Sequence, residues 1–195
     1  MSQYTHIYLG CGHHRFAGYT HVDANPNCKP DVPADIVDFV ATLPAQTVRS
    51  VIAWHVLEHL TWEQMQQFIV ALWRASAPGA VWSIRVPHCS SIFAFNPQHR
   101  SIFCSSFWDF WKEQDCTTLE RYGEERVQML SITLRILAAD TGLMPGWVRR
   151  AMPNWIFNSF GRSWQMVCER FWPFRFDEIE WKIEVLHSKK DGPFL

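Results

Sequence analysis

A glycine turn between two short apolar segments constrains the fold of this chain more than any other feature. Residues 7–9 form an apolar run that ends at the turn Gly10-Cys11-Gly12, and a second short predicted strand, which includes His21-Val22, ends at Asp23. In an open parallel sheet this spacing places a glycine turn and a carboxylate side by side at the carboxyl ends of neighbouring strands, where nucleotide-like ligands bind. Glycine lets the main chain approach a ligand closely because it has no Cβ.

The rest of the first half predicts alternating strands and helices. Residues 48–54 form an apolar run of strand length, and residues 80–87 form another. Between them, Thr61 is typical of a helix N-cap, with Gln64 in the first turn. Apolar side chains then recur at helical spacing as far as Ala77, and the following Pro-Gly pair ends the helix. This pattern predicts an α/β fold.

The second half is less regular. Residues 126–139 are compatible with either a helix or a strand, whereas residues 179–185 alternate between apolar and polar and predict a half-buried strand. Residues 143–176 combine tryptophan, phenylalanine and arginine. We interpret them as an insertion that covers the site or docks on a surface. A helical pair packed on the core is an equal alternative, and an interfacial membrane element a minor one.

Composition narrows the class of protein. The chain has 195 residues and a net charge of −1, which suits one domain and indicates no nucleic-acid partner. No apolar stretch reaches the length of about 18 residues that a membrane span requires. The N-terminus does not have the pattern of a signal peptide. The six cysteines include no C-x-x-C pair, so we expect neither a zinc framework nor a disulfide scaffold. Because the sequence does not show a signal-peptide pattern, we expect a reducing, cytoplasmic location.

The first half resembles the class I S-adenosylmethionine-dependent methyltransferases. More narrowly, it is similar to small predicted methyltransferases found among cell-surface polysaccharide biosynthesis proteins. The resemblance covers about the first half of the chain and the last strand. The matching residues are Gly10-Cys11-Gly12, Ala17-Gly18-Tyr19, Val22-Asp23, Ala34-Asp35-Ile36, residues 55–59, Pro78-Gly79, residues 96–100 and Phe107-Trp108.

The chain departs from the broad class at the first crossover. His13-His14 stand where a fuller motif carries a third glycine, and the crossover is too short for a typical helix. We expect Gly18 to make the turn back. A dehydrogenase is disfavoured for the same reason, because its G-x-G-x-x-G fingerprint opens a full helix.

The resemblance implies one Rossmann-like methyltransferase domain over residues 1–195, with a mostly parallel sheet. Its parts would be a cofactor-binding core over residues 1–110, a helical lid or docking insertion over residues 140–176 and a late antiparallel strand over residues 177–188. The resemblance also implies S-adenosylmethionine as the cofactor. The glycine turn would lie alongside the methionine moiety of the cofactor. Replacing either glycine by valine would then block binding of the cofactor. The residues implied to bind the cofactor are Gly10, Cys11, Gly12, Asp23 at the ribose, Asp35 and Ile36 at the adenine, and the backbone of His55 and Val56.

The implied reaction is O-methylation of a sugar or glycan precursor. The implied partner is therefore a small-molecule or glycan substrate. Positioning supplies much of the rate of such a displacement, and a base is needed only for a weak nucleophile such as a hydroxyl. His59 and His99 are the candidate bases. A non-catalytic module that binds S-adenosylmethionine is the alternative function. Peripheral membrane contact is compatible with the insertion, and the sequence does not specify an oligomeric state.

Residues 55–59 also match H-x-x-E-H, the motif of inverted zinc proteases. On a helix, His55 and His59 would share a face and hold Zn²⁺, with Glu58 as the base. However, His55 directly follows a strand, so a zinc-dependent hydrolase is the less favoured alternative. Some O-methyltransferases, those of ubiquinone biosynthesis and of small-RNA 3′ ends, carry a similar Glu-x-x-Glu-His that holds Mg²⁺. Because His55 replaces the first carboxylate, we predict that no metal is tightly bound.

Overall fold

The strands in the described part of the chain form one seven-stranded sheet. The computed structural model describes residues 4–109, 127–135 and 176–185. The strands are β1 (His6–Leu9), β2 (Thr20–Asp23), β3 (Val32–Pro33), β4 (Val48–Trp54), β5 (Ser76–Pro87), β6 (Val127–Arg135) and β7 (Glu178–Val185). The α-helices of this part are α1 (Ile36–Thr42) and α2 (Trp62–Ala75), and short 3₁₀ helices span Pro26–Cys28, Leu57–His59, Ile92–Phe95 and Phe107–Asp109.

The order of strands in the sheet is β3-β2-β1-β4-β5-β7-β6. The first five are parallel to one another, and β7 runs antiparallel to both β5 and β6. The prediction of a mostly parallel α/β sheet with a late antiparallel strand is confirmed. The ambiguous segment 126–139 contains strand β6. The predicted insertion over residues 140–176 lies outside the described residues, except for Phe176.

The order of strands reverses between β1 and β4, which are neighbours in the sheet. From β1 the chain proceeds outward to β2 and β3, and from β4 it proceeds to β5 on the other side, where β7 later inserts between β5 and β6. Ligands bind at such a switch point, beyond the carboxyl ends of the strands. Ile7 and Leu9 of β1 and Val51 and Ala53 of β4 are fully buried, as expected for the centre of a parallel sheet covered by helices.

The connection between β1 and β2 contains no helix, as the sequence predicted. Gly18 has a φ of +83°, which reverses the chain and lets β2 run parallel to β1. The amide of Gly10 donates to the carbonyl of Val22 at 2.8 Å and joins the ends of both strands. This short crossover places the turn of residues 10–12 directly beside the end of β2.

Helix α2 begins at the predicted cap. The Thr61 hydroxyl accepts from the Gln64 amide at 3.2 Å, and the Gln64 side chain accepts from the Thr61 amide at 3.0 Å. The helix ends at Ala75, two residues before the predicted end, because Ser76 is extended and pairs with Val48 at the start of β5. Strand β5 therefore begins before the predicted residue 80 and passes through Gly79 at a φ of +78°.

Replacing Thr61 by alanine is expected to lower the free energy of unfolding by about 1 kcal/mol, because the first turn of α2 loses its cap. Urea denaturation measures the change. Gln67→Ala is the matched control, since Gln67 is exposed within the same helix, and its effect should stay within about 0.5 kcal/mol. Equal losses in the two variants would contradict the contribution of the cap.

Neither helix of the described part is long and apolar enough to cross a membrane.

Candidate functional site

A cleft of about 560 Å³ lies at the carboxyl ends of β1, β2 and β4. An open cavity therefore lies at the switch point of the sheet, where the strand order predicts a ligand site. Seven of the eight residues that the sequence implied for cofactor binding line this cleft. These residues are Gly10, Gly12, Asp23, Asp35, Ile36, His55 and Val56.

The two glycines of the turn have different structural roles. Both have a positive φ, +63° at Gly10 and +51° at Gly12. A Cβ at Gly10 would lie 2.5 Å from Cγ2 of Val56, so Gly10 allows two segments of the protein to pack. A Cβ at Gly12 would meet no protein atom within 4 Å. The main chain at Gly12 is therefore open to a ligand in the cleft.

The carboxylate of Asp23 is fixed by the main chain. Its Oδ2 accepts from the Gly12 amide at 2.7 Å, and its Oδ1 accepts from the Asn25 amide at 2.8 Å. Each carboxylate oxygen can accept a second hydrogen bond. Asp23 lines the cleft and so presents two oriented oxygens to a ligand without needing to reorganise.

Asp35 and Ile36 form another part of the wall, where α1 begins. Asp35 is the N-cap of this helix, and its Oδ1 accepts from the amide of Val37 at 2.8 Å. The cap fixes the position of Ile36, the first residue of the helix. An apolar side chain held beside a carboxylate suits a flat heterocycle with polar edges.

The structure does not bring Cys11 to the cleft. Cys11 is buried and packs against Tyr8 and Ile52, away from the cavity. Burial raises the pKa of the Cys11 thiol. The side chain therefore fills a tight space behind the turn as a neutral thiol, and Cys11 departs from the cofactor-binding role that the resemblance implied.

His55 follows β4 directly and has a φ of +55°, which L residues rarely adopt. Its Nε2 lies 2.7 Å from Glu178 Oε1, and its Nδ1 lies 3.5 Å from Glu58 Oε1. The hydrogen bond to Glu178, followed by that to Glu58, raises the pKa of His55 to about 9. At neutral pH His55 is a cation, which can neither ligate a metal nor accept a proton.

The segment 55–59 is also not a continuous α-helix. Only Leu57–His59 is helical, as a 3₁₀ turn. His55 and His59 therefore lack the geometry of two imidazoles on one α-helical face, which the zinc hydrolase motif requires. His55 instead lies at the bend that directly follows β4.

A second cavity of about 410 Å³ adjoins the cleft, and His55 and His59 belong to the walls of both. Its walls combine polar side chains with one exposed aromatic ring. The residues are His55, Glu58, His59, Pro87, Phe93, Asn96, Gln98, His99, Asp177 and Glu178.

The two candidate bases, 40 positions apart in the sequence, meet in this second cavity. The rings of His59 and His99 are 4.8 Å apart between centroids and nearly perpendicular. The Nδ1 of His59 donates to the carbonyl of Gln98 at 3.3 Å. Glu58 lies beside them, 2% exposed, and potential ligand atoms of the three side chains lie within 4.8 Å of one another.

Sequence reasoning missed several residues of the two cavities. Ala24, Leu60, Thr61, Gln64 and Arg100 line the cleft. The sequence assigns Thr61 and Gln64 only to the start of helix α2. In the second cavity, Glu178 begins β7 and Asp177 directly precedes it. No local pattern marks these two residues, because the antiparallel return of the chain brings them there.

Comparisons with known proteins give structural similarity alone. No family model matches the sequence, and no curated protein is significantly similar to it. The crystal structure of an S-adenosylmethionine-dependent methyltransferase from Archaeoglobus fulgidus is similar to this chain, with a TM-score of 0.56 and 16% sequence identity. The alignment covers 91% of this chain and 84% of that chain. The fold is that of the class I methyltransferases.

Two further solved structures have the same architecture. The N-methyltransferase NodS from Bradyrhizobium japonicum, in complex with S-adenosylhomocysteine, has a TM-score of 0.52 at 12% identity, covering 94% of this chain and 79% of that chain. The plantazolicin methyltransferase BpumL, in complex with a triazolic desmethylPZN analog and S-adenosylhomocysteine, has a TM-score of 0.53 at 11% identity, covering 94% and 77%.

Proposed function

We propose that this protein is a S-adenosylmethionine-dependent methyltransferase that methylates a hydroxyl group of a sugar or glycan precursor. The observation that carries the proposal is the junction of two cavities at the switch point of the sheet. One cavity has a glycine turn and an oriented carboxylate, and the other has the polar groups that an acceptor needs. His55 and His59 lie where the two cavities meet.

The residues of the cleft fit S-adenosylmethionine, which supplies the methyl group as a sulfonium. Gly12 leaves space along the main chain for the methionine moiety, and Asp23 presents its oxygens for the ribose hydroxyls. Asp35 and Ile36 would bound the adenine. The cleft of about 560 Å³ lies within the usual range for small-molecule sites. The solved methyltransferases with bound S-adenosylhomocysteine support the same assignment.

The second cavity fits a hydroxylated acceptor. Sugar hydroxyls both donate and accept hydrogen bonds, and the carboxylate of Asp177 with the amides of Asn96 and Gln98 offers both partners. Phe93 is half exposed at the wall and can pack against the apolar face of a sugar ring. This composition supports a sugar more than an apolar acceptor.

A base is required because a hydroxyl is a weak nucleophile. During transfer the oxygen–carbon bond forms, the carbon–sulfur bond breaks and the hydroxyl proton leaves, with S-adenosylhomocysteine as the other product. The Nδ1 of His59 donates to a carbonyl, so its Nε2 carries the free lone pair that can accept this proton. His99 is the second candidate, beside it in the same cavity. His55 is excluded by its charge.

Calorimetry with S-adenosylmethionine, S-adenosylhomocysteine and NAD tests the cofactor. We expect the first two to bind and NAD not to bind. Methyl transfer to a panel of sugars and nucleotide sugars then tests the reaction. Binding without any acceptor across that panel would favour the non-catalytic module, and binding of NAD alone would overturn the assignment.

The histidines are tested by separating binding from turnover. We expect His59→Ala and His99→Ala to slow methyl transfer, because each removes a candidate base. The affinity for S-adenosylhomocysteine should stay near that of the wild type in His99→Ala, because His99 lines only the second cavity, whereas His59 lines both. His14→Ala is the control, since His14 is exposed and lies outside both cavities. Unchanged turnover in both variants would remove these histidines from the mechanism.

We further propose that the protein acts in the cytoplasm, in polysaccharide biosynthesis, as one domain over residues 1–195. The cysteines at positions 11, 28 and 89 are free, which supports a reducing compartment. The insertion over residues 140–176 would serve as the lid or docking element, with peripheral membrane contact as one use of its aromatic and basic residues.

A further inference from the structure

We propose that Glu58, His59 and His99 bind one divalent transition-metal ion. Ligand atoms of the three side chains lie within 4.8 Å of one another in the second cavity. Around a tetrahedral ion with nitrogen and oxygen ligands at about 2.1 Å, the ligand atoms lie about 3.4 Å from one another. A small movement of the imidazole rings therefore brings all three donors within bonding distance of one ion.

Two of these residues have buried polar atoms without partners. Oε2 of Glu58 and Nδ1 of His99 are buried and have no hydrogen-bond partner among residues 4–109, 127–135 and 176–185. Leaving a buried polar atom unpaired is costly, and more so for a carboxylate. A single cation between the side chains would satisfy both atoms at once, whereas an apolar ligand would satisfy neither.

The orientation of His59 supports the same conclusion. Its Nδ1 donates to the Gln98 carbonyl, which fixes the tautomer and leaves the lone pair on Nε2. Metal-binding histidines nearly always donate their other ring nitrogen to a carbonyl or carboxylate in this way. His59 thus has the supporting hydrogen bond that a metal ligand requires.

Main-chain hydrogen bonds hold the two ligand segments together. The carbonyl of Glu58 accepts from the amides of Arg100 at 2.7 Å and Ser101 at 3.1 Å. The Ser101 hydroxyl donates to the carbonyl of Leu60 at 2.9 Å. His99 therefore lies next to residues that are anchored to the segment carrying the other two ligands, and the three donors are brought together before any ion binds.

The donor set favours a transition metal. Two imidazoles and one carboxylate are the ligands of catalytic zinc sites, which keep a further position open. Mg²⁺ prefers oxygen ligands. His55 is not needed as a ligand, because it is paired with Glu178. The proposal therefore departs from the metal-free site that the sequence predicted. Resting on the proposed function, we infer that the open position binds the acceptor hydroxyl and lowers its pKa. In the metal-bound protein His59 and His99 then act as ligands, and the base role proposed for them applies only to the protein without the ion.

Titration of the full chain with Zn²⁺ after treatment with EDTA tests the site. We expect one Zn²⁺ per chain, and a loss of affinity of at least about tenfold in Glu58→Gln, His59→Ala and His99→Ala. His14→Ala should bind Zn²⁺ like the wild type. Glu58→Gln keeps the size of the side chain, and its urea denaturation curve shows whether the variant folds.

The result that overturns the proposal is the absence of stoichiometric Zn²⁺ binding, its loss in His14→Ala, or its displacement by millimolar Mg²⁺. The affinity for S-adenosylhomocysteine should be the same with and without EDTA, because Glu58 and His99 line only the second cavity. A protein that binds Zn²⁺ but not S-adenosylhomocysteine would refute the proposed function and support the metal site. A protein that binds S-adenosylhomocysteine but not Zn²⁺ would refute the metal site and leave the proposed cofactor in place.

Discussion

Gly12→Val is expected to abolish binding of S-adenosylhomocysteine. The wild-type residue leaves the main chain open to the cleft, and the Cβ position meets no protein atom within 4 Å. A valine side chain would occupy the volume that the methionine moiety needs. Calorimetry should detect no binding at ligand concentrations about a hundred times the wild-type Kd, a loss of more than about 2.7 kcal/mol.

Gly18→Val is the matched control for this variant. Gly18 also has a positive φ, of +83°, and a Cβ there also meets open space, but Gly18 does not line the cleft. Both valines adopt a backbone conformation that costs roughly 1–2 kcal/mol for an L residue. We expect similar losses of stability in urea, with loss of binding only at Gly12. If Gly12→Val binds within about threefold of the wild type, the turn does not hold the cofactor.

Gly10 does not provide an equivalent test, although the sequence treated the two glycines alike. A Cβ at Gly10 overlaps the side chain of Val56, so Gly10→Val should destabilise the fold by about 1–3 kcal/mol. Loss of cofactor binding in Gly10→Val could therefore come either from the destabilised fold or from a blocked cleft. The spacing of Gly-x-Gly predicts a turn, but only the packing of Val56 shows which glycine faces protein and which faces the cleft.

Local patterns predicted the elements that depend on local physics. The strand over residues 48–54, the cap at Thr61 and the helix-free crossover at Gly18 were all visible in the sequence. Residues 126–139 could not be assigned, because pairing with β7 makes part of them a strand. The early start of β5 likewise depends on the pairing of Ser76 with Val48.

The second cavity depends on contacts between distant segments. His99 meets Glu58 and His59 through hydrogen bonds from residues 100 and 101 to the Glu58 carbonyl. Glu178 reaches His55 because β7 returns antiparallel beside β5, 123 positions along the chain. No spacing rule connects such pairs, so the sequence proposed single histidines where the structure shows a cluster with a buried carboxylate.

Asp23→Ala is expected to weaken binding of S-adenosylhomocysteine by about 1.5–3 kcal/mol, the usual scale for hydrogen bonds to a charged group. This corresponds to a rise in Kd of roughly 10- to 150-fold. The reason is the fixed carboxylate at the end of β2, whose oxygens face the cleft while the amides of Gly12 and Asn25 orient them. Calorimetry measures the change in affinity.

Because alanine also removes the acceptor of two amides, the stability of the variant has to be measured beside its affinity. Asp31→Ala is the control. Asp31 likewise accepts a main-chain amide, from His21 at 2.8 Å, but it lies outside the cleft. We expect Asp31→Ala to leave the affinity unchanged, and Asp23→Asn, which retains one acceptor oxygen without the charge, to fall between the wild type and Asp23→Ala. An unchanged affinity in a folded Asp23→Ala protein would show that this carboxylate does not bind the ribose.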